Sequence, residues 1–174
     1  MLLYFIRHGD PIYNPDSLTE KGKIQAEALS NRLVNSKIDR IYSSSSTRAI
    51  QTAEPTAKKL GKEIEILDWC NEKYAAAEFG IVENEKWKWI SQSEEYLKKF
   101  SDNDMSKLGF DWYEGQVLSN EERQRFKSGI KRVQKHTYEL LKEIGYEHND
   151  NGHCYEGCVI CTRWIFKSVY VGCA

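Results

Sequence analysis

The fold is decided by the stretch Leu2-Leu3-Tyr4-Phe5-Ile6-Arg7-His8-Gly9. Its apolar part, residues 2–6, predicts a strand that is buried on both faces, as in a parallel sheet. Arg7, His8 and Gly9 then follow at the carboxyl end of this strand. Because open α/β sheets bind ligands beyond the carboxyl ends of their strands, we expect a functional site at this position.

Helices and strands alternate along the next sixty residues. Periodicity, N-cap residues and glycine stops predict a helix over 20–35, a strand over 38–43, a helix from Ser46 or Thr47 to Leu60, and a strand over 63–67. The apolar face of the first helix is predicted to contain Ile24, Ala28, Leu29 and Leu33. Strand-helix-strand units of this kind are right-handed and build parallel sheets. The sequence therefore predicts an α/β three-layer sandwich with a mainly parallel sheet flanked by helices.

The second half of the chain is less regular. Residues 70–118 hold many aromatic side chains without a clean period, and we expect them to form a helical lid or cap. Ser119 and Glu122 have the spacing of a capping box, which predicts a long helix that ends near Ile144. The buried stripe of this helix is predicted to contain Phe126, Ile130, Val133, Leu140 and Leu141. We expect one domain over 1–174, with 146–174 as an atypical tail.

Composition and charge limit the class of protein and its partners. The chain has 174 residues, a net charge of −1 and a pI near 6.4. It therefore lacks the basic surplus that is typical of proteins that bind nucleic acid or anionic membranes. The apolar start is too short for a signal peptide, and no stretch has the length of a membrane span. We expect a soluble, cytoplasmic protein without a nucleic-acid or membrane partner, and a homodimer is compatible with the sequence.

Side chains suited to phosphoryl transfer follow the predicted strands. They are Arg7, His8, Gly9 and Asn14 after the first strand, and Ser43, Arg48 and Gln51 after the second. Phosphoryl transfer needs a nucleophile and preorganised cations around the phosphoryl oxygens, and arginine supplies a planar, permanently charged fork. His8 is the candidate nucleophile. The leaving group needs a proton, for which Glu72 after the third strand is the first candidate and Glu78 the second.

Three linked motifs cover roughly the first eighty residues. They read Phe5-Ile6-Arg7-His8-Gly9 with Asn14, then Leu18-Thr19-Glu20-x-Gly22-x-x-Gln25-Ala26, then Tyr42-Ser43-Ser44-x-x-x-Arg48-Ala49-x-Gln51-Thr52-Ala53. In this order they resemble the motifs of the histidine phosphatase family, also called the phosphoglycerate mutase-like family. The resemblance implies that His8 is the phosphorylated nucleophile, that Arg7 and Arg48 clamp the phosphate, that Asn14 contacts it and that Glu72 donates the proton.

The reaction expected from this resemblance is hydrolysis of a small-molecule phosphomonoester. Gly9 and Ser43 are expected beside the substrate, and no metal or cofactor is expected. Phosphoglycerate mutase activity is the alternative within the family. It is less favoured because mutases must hold and re-use a bisphosphate and usually have longer chains.

The tail departs from the family pattern. The family needs a second histidine in a His-Gly motif after a late apolar strand, and the chain here reads Cys158-Val159-Ile160-Cys161-Thr162-Arg163-Trp164-Ile165-Phe166. Read one base later, Trp164-Ile165 forces a glycine codon, and 162–166 can be read as His-Gly-Gly-Phe. We hypothesise that a base insertion or deletion has garbled this tail and ended the chain early. Codons for Thr162 or Arg163 that cannot give histidine and glycine in the shifted frame would refute this.

The sequence allows two other interpretations. The first is a zinc site in the tail, formed by His153, Cys154, Cys158 and Cys161. Their spacing lacks a paired C-x2-C knuckle, which argues against this site. The second interpretation is a non-catalytic phosphate-ligand binding protein or an inactive, truncated remnant of the family. It arises because loss of the second histidine would impair catalysis.

Overall fold

The computed structural model describes residues 4–102 and 117–145. The described chain forms two compact units, the first over residues 4–72 and the second over 73–102 and 117–145. Helices and short strands alternate, which confirms the α/β class. The predicted lid role of 70–118 and the single-domain organisation stay predictions, and the tail 146–174 lies outside the described residues.

The first unit contains a hairpin, two helices and a parallel strand pair. Its elements are β1 (Pro11–Tyr13), β2 (Asp16–Leu18), α1 (Glu20–Leu33), β3 (Ile41–Ser43), α2 (Thr47–Leu60) and β4 (Ile64–Ile66). β1 and β2 pair antiparallel, whereas β3 and β4 pair in parallel across the connecting helix α2. The β3-α2-β4 unit is the crossover that the sequence predicts, and it puts the residues after β3 at the start of α2.

The predicted first strand is only partly supported. Residues 4–6 have no regular strand structure in the described chain, and Phe5 is 43% exposed. Tyr4 and Ile6 nevertheless pack against the buried cluster of the first unit, which contains Leu33, Ile38, Ile41, Ala53 and Ala57. Alternate side chains of an extended segment point to opposite sides, so Tyr4 and Ile6 share one face and Phe5 the other. The prediction that both faces are buried is therefore wrong for Phe5.

The predicted buried face of helix α1 is confirmed for Leu33 and supported for Leu29, which packs against the buried cluster, and is wrong for Ile24 and Ala28. Its N-cap Thr19 accepts from the Gly22 amide as expected, but Ile24 is 71% exposed and Ala28 is also exposed. The buried residues are Gly22, Ala26, Ser30 and Leu33. Gly22, Ala26 and Ser30 are small and let α1 pack closely against its neighbours. The buried face therefore depends on how near the backbones lie and not on the hydrophobicity of Ile24.

Helix α2 follows the predicted bounds closely. It begins at Thr47, runs through Pro55 to Leu60 and ends at Gly61, whose φ of 61° lies in the left-handed region. Glycine adopts this conformation without steric cost, which explains why the helix ends there.

In its described residues, the second unit contains three α-helices and one hairpin. They are α3 (Glu72–Phe79), the antiparallel strands β5 (Gly80–Glu83) and β6 (Lys86–Trp89), α4 (Glu94–Asp102) and α5 (Asn120–Glu143). Glu72, the first residue of α3, is the last residue of the first unit. Its core joins Leu118 and Phe126 to Phe79, Ile90, Tyr96, Phe100 and Ile130. The Phe79 and Phe126 rings meet edge to face at 5.2 Å. The capping box of Ser119 and Glu122 at the start of α5 is confirmed. The stripe prediction for α5 is confirmed for Phe126, Val133 and Leu140, whereas Ile130 and Leu141 are only partly buried.

Candidate active site

The His8 side chain is held by the backbone that follows it. Its Nδ1 lies 2.8 Å from the carbonyl oxygen of Gly9. A carbonyl oxygen only accepts, so Nδ1 carries the proton in this contact. In the neutral imidazole the lone pair is then on Nε2, which is the nitrogen left available to attack an electrophile.

The segment carrying His8 is tied to the helix that carries Arg48. The Gly9 amide donates to Thr52 Oγ1 at 3.0 Å, and the Thr52 hydroxyl in turn donates to the Arg48 carbonyl at 2.7 Å. Thr52 is 3% exposed, so this chain of hydrogen bonds lies inside the unit. It fixes the backbone beside the imidazole relative to the first turn of α2.

Close backbone packing holds the other side of the same segment. A side chain at Gly9 would place its Cβ 2.7 Å from the Gly22 carbonyl oxygen, and one at Gly22 would lie 2.3 Å from the Asp10 carbonyl oxygen. The Asp10 amide also donates to Gln25 Oε1 at 2.8 Å. The glycines of the first two motifs therefore have a packing reason that is independent of substrate.

Arg48 is buried and carries two carboxylate partners. Its Nη1 lies 2.6 Å from Asp16 Oδ1, and its Nη2 lies 2.5 Å from Glu72 Oε2. The guanidinium carbon lies 5.2 Å from the centre of the Tyr13 ring, within the range of a cation–π contact. Burial opposes the charged form, but the hydrogen bonds and charges of Asp16 and Glu72 outweigh it and raise the pKa of Arg48.

Asp16 has a second contact, at the start of α2. Its Oδ2 accepts from the Thr47 amide at 2.7 Å. The N-cap Ser46 makes no side-chain capping bond, so the carboxylate from β2 caps this helix from outside. A helix N-terminus attracts negative charge because its first amides are unpaired.

The predicted site residues of the first unit differ in their exposure and in their hydrogen-bond partners. Arg7 is exposed and pairs with no carboxylate within 4–102 or 117–145. Asn14 is exposed in the turn between β1 and β2. Ser43 is fully buried at the end of β3 and donates to the Ser44 carbonyl. Hydrogen bonds thus connect the segment of His8 to the helix of Arg48, and Arg48 to Glu72, while the phosphate contacts of Arg7, Asn14 and Ser43 stay predictions.

The second candidate proton donor is engaged in its own unit. Glu78 accepts from Arg132 through both oxygens, at 2.5 Å from Nε and 2.5 Å from Nη2. Both carboxylate oxygens are thus occupied by a bidentate ion pair. This favours a structural role for Glu78 and leaves Glu72 as the stronger candidate.

Sequence reasoning missed three residues at this site. Asp16 and Tyr13 contact the Arg48 guanidinium, and Thr52 joins the two halves of the site. A carboxylate placed just before the Leu18-Thr19 motif was the available signal for Asp16, because helix N-termini favour acidic partners. The contact between Tyr13 and Arg48 joins residues that are distant in the sequence, and no sequence pattern predicts it.

Neither a metal site nor a membrane span is found in the part of the chain that the structure describes. No cluster of three or more histidine, cysteine, aspartate or glutamate side chains there could hold a metal ion. No helix in that part combines the length and hydrophobicity that crossing a bilayer requires. His153 and the cysteines of the tail lie outside the described residues.

Several of the solved structures that are similar to this chain are phosphatases. A mycobacterial glucosyl-3-phosphoglycerate phosphatase matches with a TM-score of 0.53 and 17% identity, covering 96% of this chain and 76% of that one. The α-ribazole phosphatase from Shigella flexneri matches with a TM-score of 0.54 and 18% identity, covering 95% and 76%. A phosphoserine phosphatase from Entamoeba histolytica, solved with 3-phosphoglyceric acid, matches with a TM-score of 0.50 and 20% identity, covering 97% and 77%. At these identities the likeness shows the fold alone.

Sequence comparison assigns the family. A search of curated proteins finds no significant match. The family model of the histidine phosphatase superfamily (branch 1) matches residues 3–145, which is most of the chain and includes all three motifs around His8 and Arg48. The chain is therefore a member of the histidine phosphatase superfamily, branch 1.

Proposed function

We propose that this protein is a phosphatase that hydrolyses a small-molecule phosphomonoester through a phosphohistidine on His8. The observation that carries the proposal is the orientation of this imidazole by the Gly9 carbonyl, in a segment bonded through Thr52 to the turn that carries Arg48. The first half of the reaction requires an oriented nucleophile and a nearby cation, and these bonds tie the segment of His8 to the helix that carries the buried Arg48.

In the first half-reaction His8 Nε2 attacks the phosphorus atom and the bond from phosphorus to the leaving oxygen breaks. Arg48 and the exposed Arg7 would stabilise the charge on the phosphoryl oxygens, with Asn14 as a further contact. Such preorganised cations account for most of the catalysis in phosphoryl transfer, since the protein supplies little covalent chemistry beyond the nucleophile. Water then attacks the phosphohistidine and releases inorganic phosphate and free His8.

Glu72 is proposed as the proton donor to the leaving oxygen. It contacts the same guanidinium group as the phosphate would, which supports a place for its carboxyl group within the site. A general acid must lie within hydrogen-bond reach of the atom that it protonates. The same group, once deprotonated, can activate water for the second half-reaction.

Hydrolysis is favoured over mutase activity. The similar structures are described as phosphatases acting on a sugar phosphoglycerate, a ribazole phosphate and phosphoserine. Each of these names denotes a phosphomonoester, and they differ widely in the group that carries the phosphate. For this chain we propose the reaction that these proteins share, hydrolysis of a phosphomonoester, and we assign it none of their substrates.

A non-catalytic phosphate-binding protein is the second candidate. One observation favours it, since the sequence has no His-Gly motif after residue 145. Losing one donor to the transition-state oxyanion typically lowers the rate by about a hundred- to a thousandfold. Such a chain would bind phosphate through Arg48 and turn over slowly.

Release of p-nitrophenol from p-nitrophenyl phosphate distinguishes the two candidates. We expect turnover by the full chain that falls by at least about a thousandfold in His8→Ala, because the covalent route is lost. The matched control is His136→Gln, a partly exposed position on α5 whose ring contacts Glu139. Turnover that survives in His8→Ala would contradict the phosphohistidine route, and phosphate binding without turnover would favour the binding protein.

A further inference from the structure

We propose that Asp16 is a positioning residue that holds Arg48 in place while an incoming phosphate exchanges with Glu72. The inference rests on the proposed function and adds a division of labour between the two carboxylates on one arginine. Asp16 is the permanent partner of the guanidinium group. Glu72 is the partner that leaves when an anion binds.

The two carboxylates are anchored differently. Asp16 uses one oxygen for Arg48 Nη1 and the other for the Thr47 amide, at 2.6 Å and 2.7 Å. It therefore cannot leave the guanidinium without also uncapping α2. Within the described ranges, Glu72 has hydrogen bonds to Arg48 alone, through a single oxygen. Its departure breaks a single contact, which the incoming phosphate replaces with its own charge-assisted bonds to the same guanidinium.

The Arg48 guanidinium has one unpaired donor. Its Nε is buried and has no hydrogen-bond partner among the described residues. A buried donor left unpaired costs free energy, so such atoms need an explanation. Nε and Nη2 lie on one edge of the guanidinium group, the edge that binds two oxygens of a carboxylate or a phosphate.

A second arginine in the same chain shows this edge fully occupied. Arg132 binds Glu78 with both Nε and Nη2, each at 2.5 Å from its own carboxylate oxygen. In Arg48 the equivalent edge has Glu72 on Nη2, and within the described residues Nε has no partner. Two phosphate oxygens that complete this edge would share Nη2 with Glu72, and the repulsion between two anions on one nitrogen favours the departure of Glu72. The unpaired Nε therefore marks the edge that the phosphate takes.

The exchange also resolves a conflict of charge. A phosphate dianion added to Arg48 would stand beside two carboxylates, and like charges at such distances repel. Departure of Glu72 removes one of them. Asp16 stays, because its second oxygen accepts from the Thr47 amide at the N-terminus of α2. The contact between the Tyr13 ring and Arg48 stabilises the guanidinium in the same position. Glu72 is then free to approach the leaving oxygen, as the proposed function requires.

Calorimetric titration of the full chain with inorganic phosphate tests this division of labour through Asp16→Asn and Glu72→Gln. The amide oxygen that Asp16→Asn introduces can still accept from the Thr47 amide, but the charged bond to Arg48 is lost. We expect phosphate affinity to fall by about ten- to a hundredfold in Asp16→Asn, since charge-assisted bonds are the strong ones. In Glu72→Gln we expect affinity to rise by up to about fivefold, because the competitor is weakened.

Opposite signs for the two substitutions are the decisive result. A merely structural role for both carboxylates would give losses in both variants. The matched control is Glu27→Gln, which removes a surface ion pair with Lys59 and should leave phosphate affinity unchanged. Near-ultraviolet circular dichroism shows whether each variant is folded. If Asp16→Asn does not fold, a rise in the phosphate affinity of folded Glu72→Gln supports the exchange and a fall overturns it.

Steady-state kinetics give an independent readout. With p-nitrophenyl phosphate, Asp16→Asn should both raise KM and lower kcat, because Arg48, which Asp16 orients, is proposed to bind the phosphoryl group and to stabilise its charge. Affinity changes of the same sign in both variants would overturn the exchange and leave the phosphatase proposal intact. Failure of the unaltered chain to bind phosphate would overturn the proposed function, and the exchange with it.

Discussion

At the scale of single residues, the space around Gly22 shows how strictly the site segment is packed. A Cβ at this position would lie 2.3 Å from the Asp10 carbonyl oxygen and 3.0 Å from the Asp10 amide nitrogen. Both atoms belong to backbone that follows directly after His8 and Gly9. The absence of a side chain at Gly22 therefore lets α1 lie close to the segment that carries His8 and Gly9.

Gly22→Ala separates this packing role from helix propensity. Alanine should favour the helix by about 1 kcal/mol, whereas overpacking against backbone costs about 1–3 kcal/mol. We expect a net loss in the free energy of unfolding, measured by urea denaturation, together with lower phosphatase activity. Lys21→Ala, at an exposed neighbouring position of α1, is the control and should change stability by less than about 0.5 kcal/mol. A Gly22→Ala protein as stable as the parent would contradict the packing role.

Residue types at the site were predictable from the sequence, and their partners were not. The motifs contain His8 and Arg48, and Glu72 is a candidate because it follows the third predicted strand and phosphoryl transfer needs an acid beside a nucleophile and a cation. They do not indicate that Asp16 shares Arg48 with Glu72, since that contact depends on how the β1–β2 hairpin lies on α2. Motif residues such as Gln25 have a structural role that only the hydrogen bond to the Asp10 amide reveals.

At the scale of elements, helix ends were more predictable than helix faces. The caps at Thr19, Gly61 and Ser119 depend on local hydrogen bonds or local backbone conformation, so the sequence predicts them well. The buried face of α1 depends on which neighbours come close, and small residues occupy it in place of Ile24. Hydrophobic periodicity therefore fails where backbones must approach each other.

The start of α5 provides a pH-dependent test. Glu122 accepts hydrogen bonds from Ser119 and from the Tyr96 hydroxyl. Burial opposes the charged form of Glu122, but these hydrogen bonds outweigh it and lower the pKa of Glu122 below its ordinary 4.5. A carboxyl group with a depressed pKa in the folded state stabilises the protein above its unfolded pKa. That stabilisation is lost as the pH falls through the folded value.

We therefore expect Glu122→Gln to lower the free energy of unfolding at pH 7. We also expect the free energy of unfolding of the variant to fall less than that of the parent as the pH is lowered. The loss at neutral pH should be about 1 kcal/mol, the contribution of one partly exposed, solvent-screened and hydrogen-bonded carboxylate. Below about pH 4.5 the free energies of unfolding of variant and parent should converge. Glu121→Gln, at the exposed neighbouring position, is the control. A gap between parent and Glu122→Gln that stays constant from pH 7 to about pH 3.5 would contradict this assignment.

At the scale of the whole molecule, the contacts proposed for catalysis lie within the first unit. The chain segment 4–72 contains the proposed nucleophile His8, the buried Arg48 and both of its carboxylate partners. The second unit has its own core and its own bidentate ion pair between Arg132 and Glu78. The α/β class followed from the alternation of elements, whereas the irregular aromatic stretch after residue 70 carried no periodicity from which its helices and hairpin could be located.

The covalent step at His8 is the central claim about the whole protein, and one labelling experiment tests it directly. The measurement is to mix the full chain with a radiolabelled phosphomonoester, quench within a turnover, digest, and identify the labelled peptide. We predict acid-labile, base-stable phosphate on the peptide that contains His8, and none in His8→Ala. Label on another peptide, or hydrolysis of the ester without any label on His8, would contradict the phosphohistidine route.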